Sequence, residues 1–194
     1  EEDGAFSMNR FKAELSDRTR IIAVPHVSNV LGTVFPIADI AAIARDRDAL
    51  MVVDGCQGVV HMPVDVTALG ADFYVFSAHK LYGPNGVGVL WGRAEILADM
   101  PPFLGGGDMI DRVAIEKSTY AEPPVRFEAG TPAIAETIAL GAAVDYVQSI
   151  GMEAIRAHEQ QVLSYAHQRL SAVEGLNLIG TAAGKSGVVS FTMD

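Results

Sequence analysis

The stretch Phe73-Tyr74-Val75-Phe76-Ser77-Ala78-His79-Lys80 decides how this chain folds. Its four leading apolar residues, aromatic and β-branched, suit a short strand buried in a sheet. The run then breaks into a small, polar and basic cluster, which puts Ser77, His79 and Lys80 at the strand's carboxyl end. Toward the N-terminus, Leu50-Met51-Val52-Val53 repeats the pattern and ends on the carboxylate of Asp54. Ile21-Ile22-Ala23-Val24 is a further run of this kind, closed by Pro25. Between them, Pro36 suits the first turn of a helix, where its missing N–H costs nothing. Ile37, Ile40, Ala41 and Ala44 then follow the spacing of one apolar helix face. Toward the C-terminus, Val87 to Trp91 forms another strand after the turn Gly83-Pro84-Asn85-Gly86. Strand, helix and strand in this order predict an α/β fold with a mostly parallel sheet flanked by helices. Such sheets bind ligands outside the carboxyl ends of their strands, where Asp54 and the Ser77–Lys80 cluster both fall.

Farther along, Gly105-Gly106-Gly107 and Glu122-Pro123-Pro124 mark irregular loops. Residues 133–149 read as a helix punctuated by Gly151. A second helix follows, with Ile155, Val162, Leu163, Ala166, Leu170 and Val173 expected on one face. Leu176 to Ile179 and Gly187 to Phe191 read as strands of a new unit. The expected division is therefore residues 1–148 as the C-terminal part of a large domain and 149–194 as the start of a small α+β domain. The first residue is Glu1 rather than Met, and Asp194 follows closely on a strand. The chain is accordingly expected to be a piece of a longer protein.

Composition narrows the function classes. The 194 residues carry 14 Lys and Arg against 24 Asp and Glu, a formal charge of −10, which disfavours a phosphate-neutralising nucleic-acid groove. A hydrophobic fraction of 49% with 20% charged residues describes a chain that buries a core rather than a disordered one. No apolar run approaches the roughly 18 residues needed to span a bilayer, and no stretch reads as a signal peptide. The single cysteine, Cys56, excludes an intrachain disulfide framework and suits a reducing, cytoplasmic compartment.

The strand-end residues suggest one chemistry. A lysine partly shielded from water can form an imine with an aldehyde, although Lys80 alone would equally suit a solvated loop. Ser77 and His79 can both donate to an anion such as phosphate. Asp54 closes an apolar strand, where an unpaired carboxylate is costly. It can serve as a strand-end cap, or it can meet a protonated ring nitrogen. Pyridoxal phosphate offers the aldehyde, the phosphate and the pyridine nitrogen together, and Gln57 stands three residues beyond Asp54, within reach of the ring oxygen.

Four segments in order carry a family resemblance: His26-Val27-Ser28-Asn29-Val30-Leu31-Gly32-Thr33, Asp54-Gly55-Cys56-Gln57, Ser77-Ala78-His79-Lys80-Leu81-Tyr82-Gly83-Pro84 and Arg126-Phe127-Glu128-Ala129-Gly130-Thr131-Pro132. Over essentially its whole length the chain resembles the SUF-type (group II) cysteine desulfurases, in the class V aminotransferase group of fold-type I pyridoxal phosphate enzymes. The resemblance implies that Lys80 carries the cofactor as an internal aldimine and then moves the substrate proton. It assigns the pyridine nitrogen to Asp54, the ring oxygen to Gln57, the phosphate to Ser77 and His79, and the substrate carboxylate to Asn29. Thr131 would reach the phosphate of the other subunit, which implies a homodimer. L-cysteine would be the substrate, a sulfur-acceptor protein of the SUF pathway the partner, and iron–sulfur cluster assembly the destination of the sulfur. Ala78 and Asn85 depart from the glycine and threonine common in the family.

The same resemblance implies that a ring-stacking histidine and a phosphate-binding threonine precede residue 1. The sulfur-accepting cysteine and a carboxylate-clamping arginine would follow Asp194. Cys56 is expected to be a packed small side chain rather than that nucleophile, and residues 1–194 alone are expected to be inactive. Alternative readings are selenocysteine lyase activity, another class V reaction such as transamination, and a non-catalytic dimerisation or partner-binding module. Gly180 to Ser186 imitates a P-loop but has one residue too few between its glycines, so it reads as a surface turn. His158 and His167 do not share a helix face suited to a metal, and His61 and His26 have no ligand pair nearby in sequence. His26 reads as a loop or pocket-wall residue.

Overall fold

The computed structural model describes residues 3–194. Its centre is a four-stranded sheet of β1 (Ile21–Pro25), β2 (Leu50–Asp54), β3 (Phe73–Ser77) and β4 (Gly88–Gly92), in that spatial order. The first three strands run parallel and in step, with Pro25 beside Asp54 and Asp54 beside Val75. β4 returns antiparallel, pairing Ser77 with Gly88. A parallel return needs a crossover of about a dozen residues or more, usually a helix. The connection 78–87 holds only a 3₁₀ turn, Ala78–Leu81, and a Gly-Pro turn, so β4 folds straight back.

The expected helix flanks the sheet. α2 (Ile37–Asp46) has Pro36 at its N-cap and buries Ile37, Ile40, Ala41 and Ala44, the apolar face that its spacing predicts. These side chains pack with Ile22, Met51, Val53 and Tyr74 in one core cluster. Along β2, Met51 and Val53 are fully buried while Leu50 and Asp54 are exposed. β2 therefore buries one face fully, whereas β3 buries Phe73 and Tyr74 in succession, on opposite faces of the sheet.

A helix that periodicity does not announce, α1 (Met8–Glu14), is short and has no buried residue of its own. It is held through aromatic contacts: Phe6 lies 4.9 Å from Phe35 and 5.7 Å from Phe11 between ring centroids. Three further short helices, α3 (Gly58–His61), α4 (Val66–Leu69) and α5 (Ala94–Asp99), and a small hairpin of β5 (Ile110–Arg112) and β6 (Thr119–Tyr120), fill the connections.

Two long helices follow, α6 (Ile134–Ile150) and α7 (Met152–Leu170), parted only by Gly151. Gly151 takes φ +87°, a conformation that side-chain-bearing residues rarely adopt, so the chain turns there in a single residue. α7 turns most of its expected apolar face inward, with Leu163 buried and Ile155, Ala166 and Leu170 half-buried, but Val162 is 51% exposed. β7 (Leu176–Ile179) pairs antiparallel with β8 (Ser190–Met193), which starts later than the expected Gly187. Before it, Val188 N–H turns back to Ser186 O at 2.6 Å rather than to a partner strand. Ser186 N–H donates to Gly32 O at 2.8 Å and the Ser190 hydroxyl donates to Val30 O, so this segment is engaged with the loop after β1. The Gly180–Ser186 turn is correspondingly not a surface feature at its end. Lys185 is 5% exposed and donates from Nζ to Gly180 O at 2.6 Å, and burial lowers its pKa.

Under the carboxyl ends of the strands lies a buried polar pair. The Tyr74 hydroxyl and Nδ1 of His26 share a hydrogen bond of 2.9 Å, with the two rings edge to face at 89°. Burial lowers the His26 pKa and raises that of Tyr74, with Asp54 and Cys56 adding to the rise, so the pair joins a neutral imidazole to an un-ionised phenol. The unfolded chain takes up a proton on His26 below its ordinary pKa of 6.5, whereas the fold resists that proton. Stability should therefore fall as pH drops below 6.5 toward the lowered value, and be insensitive to His26 above it. Urea unfolding of the full-length protein across this range should show the slope, and His26→Gln should flatten it. Tyr74→Phe strands His26 Nδ1 and should cost about 1–3 kcal/mol in the same assay. Gly55→Ala should cost a comparable ~1–3 kcal/mol through overpacking, because its Cβ would fall 1.9 Å from the Tyr74 ring.

Candidate active site at the strand ends

The ends of β1, β2 and β3 are tied together by the backbone. His26 N–H donates to Asp54 O at 2.8 Å, and Gly55 N–H donates to Val75 O at 2.8 Å. The ladder thus continues a residue beyond each named strand before the chain turns away. Asp54 is the last residue of β2 and faces solvent. Its Oδ1 accepts the Cys56 N–H at 2.9 Å, a local turn that fixes the carboxylate and leaves Oδ2 without a protein partner among the described residues.

The Cys56 thiol donates to the Ser77 hydroxyl at 3.8 Å, which brings the ends of β2 and β3 side by side. Cys56 is half-buried in this contact. Ser77 closes β3, and the 3₁₀ turn Ala78–Leu81 places His79 in the open and Lys80 half-buried. Ala78 is fully buried under the turn. An added Cβ at Gly83 would lie 3.0 Å from its carbonyl oxygen, so the chain doubles back tightly here. No hydrogen bond or ion pair engages the Lys80 amine among the described residues.

Gln57 is the N-cap residue of α3 and stands half-buried beside this cluster. Its side chain meets Nε2 of His61 at 2.9 Å. Asn29 lies exposed on the turn after β1, which the Ser28 hydroxyl stabilises by accepting the Val30 and Leu31 N–H groups at 3.3 and 3.1 Å. Thr131 is exposed in the segment before α6 and makes no side-chain hydrogen bond to the strand-end residues. The structure therefore gathers Asp54, Cys56, Gln57, Ser77 and the Lys80 turn, and among the described residues no side-chain hydrogen bond joins Asn29 or Thr131 to that group.

Two features escape local sequence reading. Arg126, in the fourth of the quoted segments, sends its guanidinium to carbonyls: Nε to Ala121 O at 3.0 Å, and Nη1 to Ala98 O at 2.6 Å and Met100 O at 3.1 Å. It fastens loops that no periodicity links. His61 bonds Glu159 on α7 through Nδ1 at 2.9 Å, across a sequence separation of 98. Such a distance leaves no trace in spacing.

The donor set suits a cofactor with an acidic ring N–H, an electrophilic carbonyl and an anionic tail. It has one free carboxylate oxygen on Asp54, an unpaired amine on Lys80, and a hydroxyl and an imidazole on the adjoining turn. Pyridoxal phosphate has those features, and the residues present fit it.

Comparison with known proteins gives the same chemistry. The chain is 50% identical over 193 residues to a cysteine desulfurase of Dickeya dadantii, covering 99% of this chain and 47% of that protein. It superposes on the crystal structure of the cysteine desulfurase CsdA from Escherichia coli with a TM-score of 0.89 and 34% identity, over 95% of this chain and 46% of the other. The cystine C–S lyase C-DES, solved with glycine covalently linked to its pyridoxal phosphate, matches with a TM-score of 0.85 and 30% identity, over 95% of this chain and 50% of that one. The chain spans about half the length of the curated relatives it matches. These likenesses identify the sheet and its helices as the fold of the pyridoxal phosphate aminotransferases of fold-type I. Since the aminotransferase class-V model matches residues 1–194, the strand-end cluster is that of a family member, and the chain belongs to the class-V aminotransferases.

Proposed function

We propose that the full-length protein is a pyridoxal phosphate-dependent cysteine desulfurase of the SUF type, taking sulfur from L-cysteine and leaving L-alanine. The observation that carries this reading is the pairing of a free Asp54 carboxylate oxygen with an unpartnered Lys80 amine at adjoining strand ends, in a chain 50% identical to a cysteine desulfurase. Residues 1–148 would belong to the cofactor domain and 149–194 to the start of a small domain. A homodimer, in which Thr131 serves the neighbouring subunit, a cytoplasmic location and delivery to an iron–sulfur assembly protein complete the reading. Among the described residues no helix is long and apolar enough to cross a membrane.

In this site Lys80 would hold the cofactor at its aldehyde carbon and Asp54 would accept from the ring N–H. Ser77 and His79 would bind the phosphate, and Gln57 would face the ring oxygen. When bound, the cofactor supplies an electron sink for the pair left at the substrate α-carbon. Lys80 Nζ would take the α-proton and return it to the product, and the Asp54 carboxylate, fixed by the Cys56 N–H, would keep the ring nitrogen protonated. Asn29 would orient the substrate carboxylate from the turn after β1. The nucleophile for the substrate sulfur would be a thiol outside residues 1–194. Cys56 is engaged with Ser77 beside the proposed phosphate site, a poor place for sulfur attack.

The full-length protein, supplied with pyridoxal phosphate, L-cysteine and a thiol reductant, should release sulfide and alanine in equal amounts. Lys80→Ala should slow this by about 10²–10⁴-fold, the usual range for loss of a positioned proton-transfer group. Borohydride should fix the cofactor to Lys80 in the unaltered protein. Absence of both products from a protein that still carries the cofactor on Lys80 would refute cysteine as substrate. Conversion of the cofactor to its amine form by an amino donor would point instead to transamination.

A further inference from the structure

α3 is a single turn, so Gln57 at its N-cap and His61 at its end share a face. The imidazole of His61 bridges two acceptors: Nδ1 lies 2.9 Å from both carboxylate oxygens of Glu159, and Nε2 lies 2.9 Å from Gln57 Oε1. The side chains of His61 and Glu159 are 12% and 22% exposed. The backbone at Gly187 closes over them, since an added Cβ would stand 3.5 Å from the Glu159 carboxylate and 3.6 Å from His61 Cε1. That segment is held in turn by Gln160, whose Nε2 donates to Lys185 O at 2.9 Å. A hydrogen-bonded chain thus runs from α7 to the edge of the strand-end site, partly withdrawn from water, where such bonds are stronger.

Hydrogen-bond bookkeeping gives this chain a consequence for the site. A carboxylate only accepts, so Nδ1 carries a proton. As the structure places it, Gln57 turns its carbonyl oxygen to Nε2, so that each ring nitrogen of His61 faces an acceptor. The Gln57 amide NH₂ is then left to point away from His61 as a donor. With a single proton on the ring, Nε2 would need a donor, the amide would turn over, and Gln57 would offer an oxygen instead. We propose that Glu159 and His61 are positioning residues that hold Gln57 with its NH₂ group, rather than its carbonyl, presented to an anionic oxygen of the bound cofactor. This rests on the reading that the site binds pyridoxal phosphate with Gln57 at the ring oxygen.

Of the other titratable groups on the elements packed around His61, α7 carries Glu153, Arg156, Tyr165, His167 and Arg169, and Lys185 lies in the segment that Gln160 holds. The 3₁₀ turn beside α3 carries His79 and Lys80, and the loop after β1 brings His26 against Gly58, where it is occupied by Tyr74. His158 neighbours Glu159 on α7. Among the described residues only Glu159 and Gln57 bond His61.

The test uses the full-length protein loaded with pyridoxal phosphate, and reads the pH midpoint of its visible absorption band together with its affinity for pyridoxal phosphate. A donor aimed at the ring oxygen favours the oxygen anion, and an acceptor aimed there favours its protonation. Glu159→Gln and His61→Leu should therefore each raise the midpoint by about one pH unit. Each should also weaken cofactor affinity by about tenfold, the scale of one hydrogen bond to a charged group. The double variant should go no further than either single one, because both act through Gln57, and Glu159→Asp should recover most of the shift. An unshifted midpoint in both single variants would overturn the proposal, even if their unfolding midpoints fall, since that outcome marks a purely structural contact. An unaltered protein that takes up no pyridoxal phosphate would instead overturn the cofactor reading on which the proposal stands.

Discussion

The close approach of Tyr74 to Gly55 is the constraint on which the site depends. The parallel register sets Asp54 beside Val75, and the Gly55 N–H extends that ladder by one bond before the chain turns. At that turn the Tyr74 ring occupies the space a side chain would need, so only glycine allows β2 to finish level with β3. With the strand ends level, Asp54, Cys56 and Ser77 lie side by side and the Lys80 turn follows at once. A shift of one residue would reverse every side chain between the faces of the sheet and send Asp54 into the core.

Polar groups at this end of the sheet divide into those already satisfied and those left free. His26 and Tyr74 satisfy each other below the surface as a neutral pair, which suits their burial. The carboxylate of Asp54 is half-satisfied, by Cys56, and the Lys80 amine is unengaged. Free groups of opposite chemistry, held at strand ends over a satisfied foundation, are what mark this end of the sheet as the candidate site. The family match accords with that distinction, since the relatives with solved structures include one whose cofactor is pyridoxal phosphate.

The C-terminal residues reach this site from two directions. Glu159 of α7 bonds His61, behind Gln57, while Ser186 and Ser190 hold the turn that carries Asn29 through the carbonyls of Gly32 and Val30. The buried Lys185 secures the same segment by donating to Gly180 O, at the cost of desolvating its ammonium group. The imitation P-loop is thus a clasp between two parts of the chain. Its lysine faces a carbonyl oxygen, and no phosphate cradle surrounds it.

Local pattern was enough to read the parallel strands, the buried face of α2, the two long helices and the strand-end residues Asp54, Ser77, His79 and Lys80. Each of these depends on neighbours a few residues apart, and short apolar runs ending in polar groups encode them directly. The place of Gln57 three residues beyond Asp54 already suggested its reach to a ring oxygen, and the family resemblance added expected roles for Asn29 and Thr131 that spacing could not supply. Tertiary structure alone decided the rest. It turned β4 antiparallel, started β8 at Ser190 rather than Gly187, and left Val162 on α7 exposed. It also joined His26 to Tyr74 and His61 to Glu159, pairs separated by 48 and 98 residues. Such contacts arise only when the sheet and helices pack, because a buried polar atom takes whichever partner the fold brings within reach, and no local periodicity records which one that will be.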